Sequence, residues 1–317
     1  MEYVLLIIGI IVLVSGGHFL VKSAVGLNMK FKLSPLLIGT TVVSIGTSAP
    51  ELVVSIKAVL GGNPDIAVGN VIGSNIANFG LVLGITIIFR SVLIDPKKYL
   101  WSWGLVLLSS IMFLILGLDG HIDFFDGILL LIGLLIFLWF SVLFKRKLSK
   151  DEEISFVKND IIEGVNMKKL SSFLITVYFI FGGLGLYFGS ELLIDNAVII
   201  ATKIGVSQFV IGVSVIALGT SLPELATSII AITKGHQSIS LGNLLGSNIF
   251  NIFAVLGITS LIKPLPIKQF LLFIDLPIMI GFVLLVGLFM FLGKKMGRIE
   301  GFILIVAYTA YIMYFFI

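Results

Sequence analysis

Thr47, Glu51 and Ser55 recur at every fourth residue, and Thr220, Glu224 and Ser228 repeat that spacing. In a helix this interval returns side chains to one face, so each trio forms a polar strip, with Ser48 and Ser221 beside it. Asn70, Ser74 and Asn78, and again Asn243, Ser247 and Asn251, form two further strips of the same period. Every residue in the four strips can offer a neutral or anionic oxygen, and none is Lys, Arg or His. Such a donor set suits a hard cation: Ca2+ takes roughly six to eight oxygens from carboxylates, amides, hydroxyls, carbonyls and water. Two carboxylates balance one divalent charge. The same oxygens can hold several Na+ ions at adjacent subsites, which makes exclusive occupancy by Ca2+ or Na+ one route to coupling. Proton competition at two neighbouring buried carboxylates is another, and the residues leave both open.

The elements that position these strips are membrane helices. Of the 317 residues 58% are hydrophobic and 12% charged, against about 25% charged in a soluble domain. This composition excludes a soluble enzyme, a nucleic-acid-binding domain and a disordered chain. There is no cysteine, hence no disulfide framework, thiolate metal site or cysteine nucleophile. Ten apolar stretches are long enough to span the bilayer as helices. They begin near Tyr3, Leu33, Ile66, Tyr99, Phe124, Leu170, Val206, Ile239, Gln269 and Ile299. The first lacks the basic lead of a secretory signal and is read as a true span. Basic residues stay cytoplasmic during insertion. Placing the polar stretch Lys145 to Lys169 inside puts 17 Lys and Arg on that side and four (Lys57, Lys203, Lys263, Lys268) outside, so both termini are expected to face outward. The loop carrying Asp119, His121, Asp123 and Asp126 then lies outside without a basic residue.

The chain repeats itself. Residues 39–86 align without a gap to residues 212–259 at a shift of 173, with 25 identities over 48 positions. Asp126-Gly127 and Glu300-Gly301 extend the match at a shift of 174. The expected organisation is a first five-helix repeat (1–144), a cytoplasmic linker (145–169) and a second five-helix repeat (170–317). An odd number of spans per repeat inverts the second copy. The expected fold is therefore an all-α polytopic membrane protein of ten transmembrane helices in two inverted five-helix repeats, an arrangement common in secondary transporters.

Proline breaks the helices beside the carboxylates. Pro50 has no N–H for the carbonyl of Gly46, and Pro223 has none for Gly219. At membrane depth a freed carbonyl is tolerated where it lines a cavity or finds another partner. A membrane-embedded Glu costs about 2.5–3.5 kcal/mol on insertion scales, so a symmetric pair, Glu51 and Glu224, reads as a binding site rather than as packing. The GxxxG spacings Gly69/Gly73 and Gly242/Gly246 read as close helix packing. His18, His121 and His236 fall near span ends, away from the strips. Asp275, close to Pro277 in the ninth span, has no obvious counterpart in the first half. A channel is disfavoured by the inverted repeat, and an intramembrane hydrolase by the absence of a histidine in the strips.

With GTSAPE and GNVIGSNIAN in the first half and GTSLPE and GNLLGSNIFN in the second, the chain resembles the cation/calcium exchanger superfamily, particularly prokaryotic sodium/calcium exchangers. The resemblance implies exchange of Na+ for Ca2+ by alternating access at the membrane centre, with spans one and six gating over the other eight. It implies Thr47, Ser48, Glu51, Ser74, Asn78, Thr220, Ser221, Glu224, Ser247 and Asn251 as ligands. No cofactor, nucleic acid or obligate protein partner is expected, only the transported Ca2+ and Na+ and the lipid bilayer. Many members place Asp at the last position of one SNxxD motif, where this chain has Asn78 and Asn251. That departure bears on potassium dependence and stoichiometry, and Ca2+/H+ or K+-dependent exchange are the nearest alternatives.

Overall fold

A computed structural model describes residues 1–143, 170–203, 217–293 and 295–314. The linker and the start of the seventh span lie outside the described residues. The ten helices are α1 (Glu2–Phe31), α2 (Pro35–Leu60), α3 (Pro64–Phe89), α4 (Pro96–Leu116), α5 (Phe124–Leu143), α6 (Ser172–Lys203), α7 (Ala217–Thr220 and Leu222–Thr233), α8 (Gln237–Ile262), α9 (Leu271–Leu292) and α10 (Arg298–Tyr314). Polar caps fix where several begin. Ser34 accepts the N–H of Leu37 at 3.2 Å with Pro35 in the first turn, and Asp95 accepts that of Lys97 at 3.2 Å ahead of α4. Capping oxygens take up N–H groups that the first helical turn cannot pair.

The inverted repeat is visible in such details. Asp126 accepts the N–H of Asp123 at 3.0 Å before α5, and Glu300, its counterpart, accepts that of Gly297 at 2.8 Å before α10. The two-residue strands β1 (Val92–Leu93), β2 (His121–Ile122), β3 (Leu265–Pro266) and β4 (Lys295–Met296) pair antiparallel as β1–β4 and β2–β3, one ribbon being the image of the other. Two helix crossings repeat as well. A Cβ on Gly127 would lie 2.9 Å from the Gly257 carbonyl, and one on Gly301 would lie 2.6 Å from that of Gly84. Only glycine permits these backbone-to-backbone approaches, between α5 and α8 and between α10 and α3.

The structure divides into two compact units, residues 1–47 with 141–244 and residues 48–140 with 245–317. The first is organised on the antiparallel pair α1 and α6. A Cβ on Gly16 would meet the Leu186 nitrogen at 2.5 Å, and one on Gly189, the repeat equivalent of Gly16, would meet the Leu13 nitrogen at 2.5 Å. Lys203 and Glu2 form an ion pair at 2.9 Å between the C-terminal end of α6 and the N-terminal end of α1. The second unit is organised on α3, the latter part of α8, α9 and α10. Trp103 Nε1 of α4 donates to the Val283 carbonyl of α9 at 2.8 Å.

Burial separates the ten helices by role. The most apolar windows of α3 and α8 are each 78% buried, against 17% for α5 and 22% for α6. The large apolar side chains that α5 leaves exposed, among them Leu135 and Trp139, are what a lipid-facing helix requires. The polar strips sit on the helices that are covered.

Candidate cation site

The strip residues are buried. Thr47, Ser48, Glu51, Asn78, Glu224, Ser247 and Asn251 are 0% exposed, Ser221 1%, Ser74 2% and Thr220 6%. Two fully buried carboxylates on helices of this hydropathy demand compensation, by hydrogen bonds or by a cation.

In the first unit, Thr47 Oγ1 donates to Asn243 Oδ1 at 3.0 Å, and Asn243 Nδ2 donates to Ser228 Oγ at 3.5 Å. The three residues come from α2, α8 and α7. Ser240 adds a hydrogen bond of 3.1 Å to the carbonyl of Ser228. Glu224 lies in the first turn of the Leu222–Thr233 helix, beyond a break at Ser221 (φ −89°, ψ 4°). The Ser221 hydroxyl oxygen is buried and has no hydrogen-bond partner among the described residues.

In the second unit, Asn70 Nδ2 donates to the Glu51 carbonyl at 3.3 Å and to Ser55 Oγ at 3.0 Å, tying α3 to α2 beside the carboxylate. Asn251 Nδ2 donates to Asn75 Oδ1 at 3.1 Å, and Asn75 Nδ2 donates to the Asn248 carbonyl at 3.4 Å, tying α3 to α8. Asn251 Oδ1 and both amide atoms of Asn78 are buried without a hydrogen-bond partner among the described residues. An unpaired buried polar atom costs roughly 1–3 kcal/mol. Several such atoms lie on the predicted ligands, and a cation coordinated by these oxygens would offset that cost.

Asn78 and Asn251 also begin matching π-helical turns, Asn78–Leu83 and Asn251–Leu256. A π turn widens the helix by one residue and is frequent at functional sites. Asn75 and the π turns were not singled out from the residues. The periodicity of the strips puts Asn75 one residue out of phase, and an i to i+5 turn leaves no mark in composition.

Other expectations resolve differently. Gly242 makes the predicted close packing, since a Cβ there would lie 2.8 Å from the Leu36 carbonyl. Gly69 and Gly73 have nothing within 4 Å of such a Cβ among the described residues. Asp275 is 1% exposed and closes a π turn (Leu271–Asp275) ahead of Pro277. Its carboxyl takes a hydrogen bond from Tyr311 of α10. His121, the first residue of β2, stands beside Asp119 at 3.4 Å, and His236 is buried in the turn between α7 and α8.

Ten membrane helices in inverted halves, with buried carboxylates and amide oxygens on the covered ones, define a secondary transporter of the kind that binds its cargo within the bilayer. The model of the family described as sodium/calcium exchanger protein matches residues 1–143 and 174–317. Among curated relatives, the putative antiporter CaxA of Alkalimonas amylolytica is 34% identical over 97% of this chain and 96% of its own length. The sodium/calcium exchanger MaX1 of Methanosarcina acetivorans is 30% identical over 99% of this chain and 98% of its own. Among solved structures, the sodium-calcium exchanger NCX_Mj soaked with Na+ and Ca2+ superposes with a TM-score of 0.83 at 32% identity, covering 98% of this chain and 97% of that one. The chain belongs to the sodium/calcium exchanger family and is a multi-pass membrane protein.

Proposed function

We propose that this protein is a secondary antiporter that exchanges Na+ for Ca2+ by alternating access and is not an enzyme. The carrying observation is the set of buried oxygens without hydrogen-bond partners among the described residues on Asn78 of α3, Ser221 of α7 and Asn251 of α8, together with the full burial of Glu51 of α2 and Glu224 of α7. The ligands in this reading are Thr47, Ser48, Glu51, Ser74, Asn78, Thr220, Ser221, Glu224, Ser247 and Asn251. Each carboxylate supplies one negative charge toward a divalent ion, and the hydroxyl, amide and carbonyl oxygens complete its shell. Na+ occupying the same oxygens displaces Ca2+, which is sufficient for exchange when the two states of the carrier open to opposite sides. Residues 1–144 and 170–317 act as the two inverted repeats, the stretch 145–169 as a cytoplasmic linker, and both termini face outward in keeping with the distribution of basic residues. No cofactor enters the cycle.

The test is uptake of radiolabelled Ca2+ into proteoliposomes preloaded with Na+, compared with K+-loaded and acid-loaded vesicles at controlled potential. Uptake driven by internal Na+ alone is the expected result. Uptake driven by the proton gradient alone would replace this reading with Ca2+/H+ exchange.

A further inference from the structure

The buried asparagines sort into two kinds by what their amide atoms touch. Asn251 spends its Nδ2 on Asn75 and leaves Oδ1 without a partner among the described residues. Asn75 spends both ends on protein, its Oδ1 accepting from Asn251 and its Nδ2 donating to the Asn248 carbonyl. Asn75 is therefore held at both ends, while Asn251 is committed to presenting oxygen. We propose that Asn75 is a positioning residue of the cation site. By taking the N–H of Asn251, it forces the Asn251 carbonyl oxygen, rather than its NH2, toward the bound ion.

The chemistry of the primary amide makes this choice consequential. Its two ends are nearly isosteric, but the oxygen carries the lone pairs a hard cation needs, whereas the NH2 presents hydrogens that repel it. A terminal amide torsion is soft, so an asparagine with neither end held offers both orientations. Asn78 occupies the repeat position equivalent to Asn251, and both its amide atoms lack a hydrogen-bond partner among the described residues. The two copies thus differ in a way their sequences do not show: the amide of Asn251 is oriented by Asn75, whereas no hydrogen bond among the described residues orients that of Asn78. The Asn248 carbonyl in turn fixes Asn75, because only the NH2 end of Asn75 can donate to it. All three residues are 0–1% exposed, a low-dielectric setting in which hydrogen bonds are electrostatically stronger.

This inference rests on Asn251 being a ligand in the function proposed above, and the experiment separates the two. Na+-driven Ca2+ uptake is measured in proteoliposomes for the full chain, Asn75→Leu, Asn251→Ala and the double variant, with thermal unfolding of each in detergent. Asn75→Leu keeps the volume and removes the acceptor. It is expected to raise the KM for Ca2+ about five- to tenfold, the size of one hydrogen-bond term, with the maximal rate within about twofold. In the Asn251→Ala background the same change should leave the KM unaltered, since the residue through which it acts is gone. An equal KM penalty in both backgrounds would overturn the positioning role. A normal KM for Asn251→Ala would instead reject Asn251 as a ligand and with it the site reading. If Asn75→Leu fails to fold, Asn75→Asp decides. It keeps an acceptor facing Asn251 and is expected to retain Ca2+ affinity at or above that of the unchanged chain, and a fivefold loss there would refute the proposal.

Discussion

In α2 the run from Gly46 to Glu51 lies inside a helix that continues from Ser44 to Leu60, with Pro50 in its interior. In α7 the equivalent run from Gly219 to Glu224 is interrupted at Ser221, and Pro223 stands in the first turn of a new helix, Leu222–Thr233. Five of the six residues are the same in the two runs. The motif therefore does not dictate continuity. Proline removes one helical hydrogen bond and crowds the preceding turn in both copies, and the surroundings decide whether the helix bends through the defect or parts at it. Near Gly219 the surroundings include Ile194 of α6, whose side chain would collide with any Cβ at that position. A motif compatible with both a continuous and a broken helix is one that a carrier can use where it must open first to one side and then to the other.

Three sets of substitutions break or sharpen this comparison. The largest effect is expected from Glu51→Gln and Glu224→Gln. Each should lower Na+-driven Ca2+ uptake by about 100-fold or more, the scale of losing one partner of a buried charge pair, without loss of membrane insertion. Near-normal uptake in both would remove the carboxylates from the site, and a large difference between them would show that the copies are unequal in chemistry as well as in shape. The proline pair comes next. Pro223→Ala restores a donor for the Gly219 carbonyl and should favour a continuous α7, slowing exchange about tenfold, a cost near 1.4 kcal/mol. Pro50→Ala, in a helix already continuous, should slow it about threefold or less. Equal effects would mean that the break at Ser221 is not used during the cycle. Because the chain contains no cysteine, single cysteines introduced along α7 would report its accessibility in each variant without background labelling. The smallest effect is expected from Ser55→Ala and Ser228→Ala, one turn beyond the carboxylates. Each loses a side-chain hydrogen bond to Asn70 or Asn243 and should raise the KM for Ca2+ about two- to fivefold. A loss as complete as that of the glutamate variants would move the centre of the site toward these serines.

Much of this was legible in the residues. The i, i+4, i+8 strips, the shift of 173 and the span starts near Tyr3, Leu33, Phe124 and Ile239 all follow from periodicity and hydropathy, and the helices lie where they point. The cross-helix partners were not legible. Thr47 meeting Asn243, or Asn251 meeting Asn75, depends on which helices become neighbours, and a one-chain period describes only a helix's own faces. The π turns at Asn78 and Asn251 depend on one extra residue per turn, which polar spacing does not record. Asp275 stood out as a buried charge without a counterpart. Its structural partner is Tyr311, 36 positions on in another helix, and no local pattern joins the two.

The composition of the two compact units carries a consequence for how the protein is made. Each unit interleaves both repeats: residues 1–47 join 141–244, and residues 48–140 join 245–317. Strand β1, at Val92, waits for Met296 before it has a partner, and Asn75 waits for Asn248 and Asn251. During synthesis the ribosome delivers the first repeat to the bilayer with Glu51 already inside it and these partners not yet translated. The contacts that complete both units thus form only after the second repeat has entered the bilayer. A chain cut short after residue 169 would lack residues 170–244 of one compact unit and 245–317 of the other.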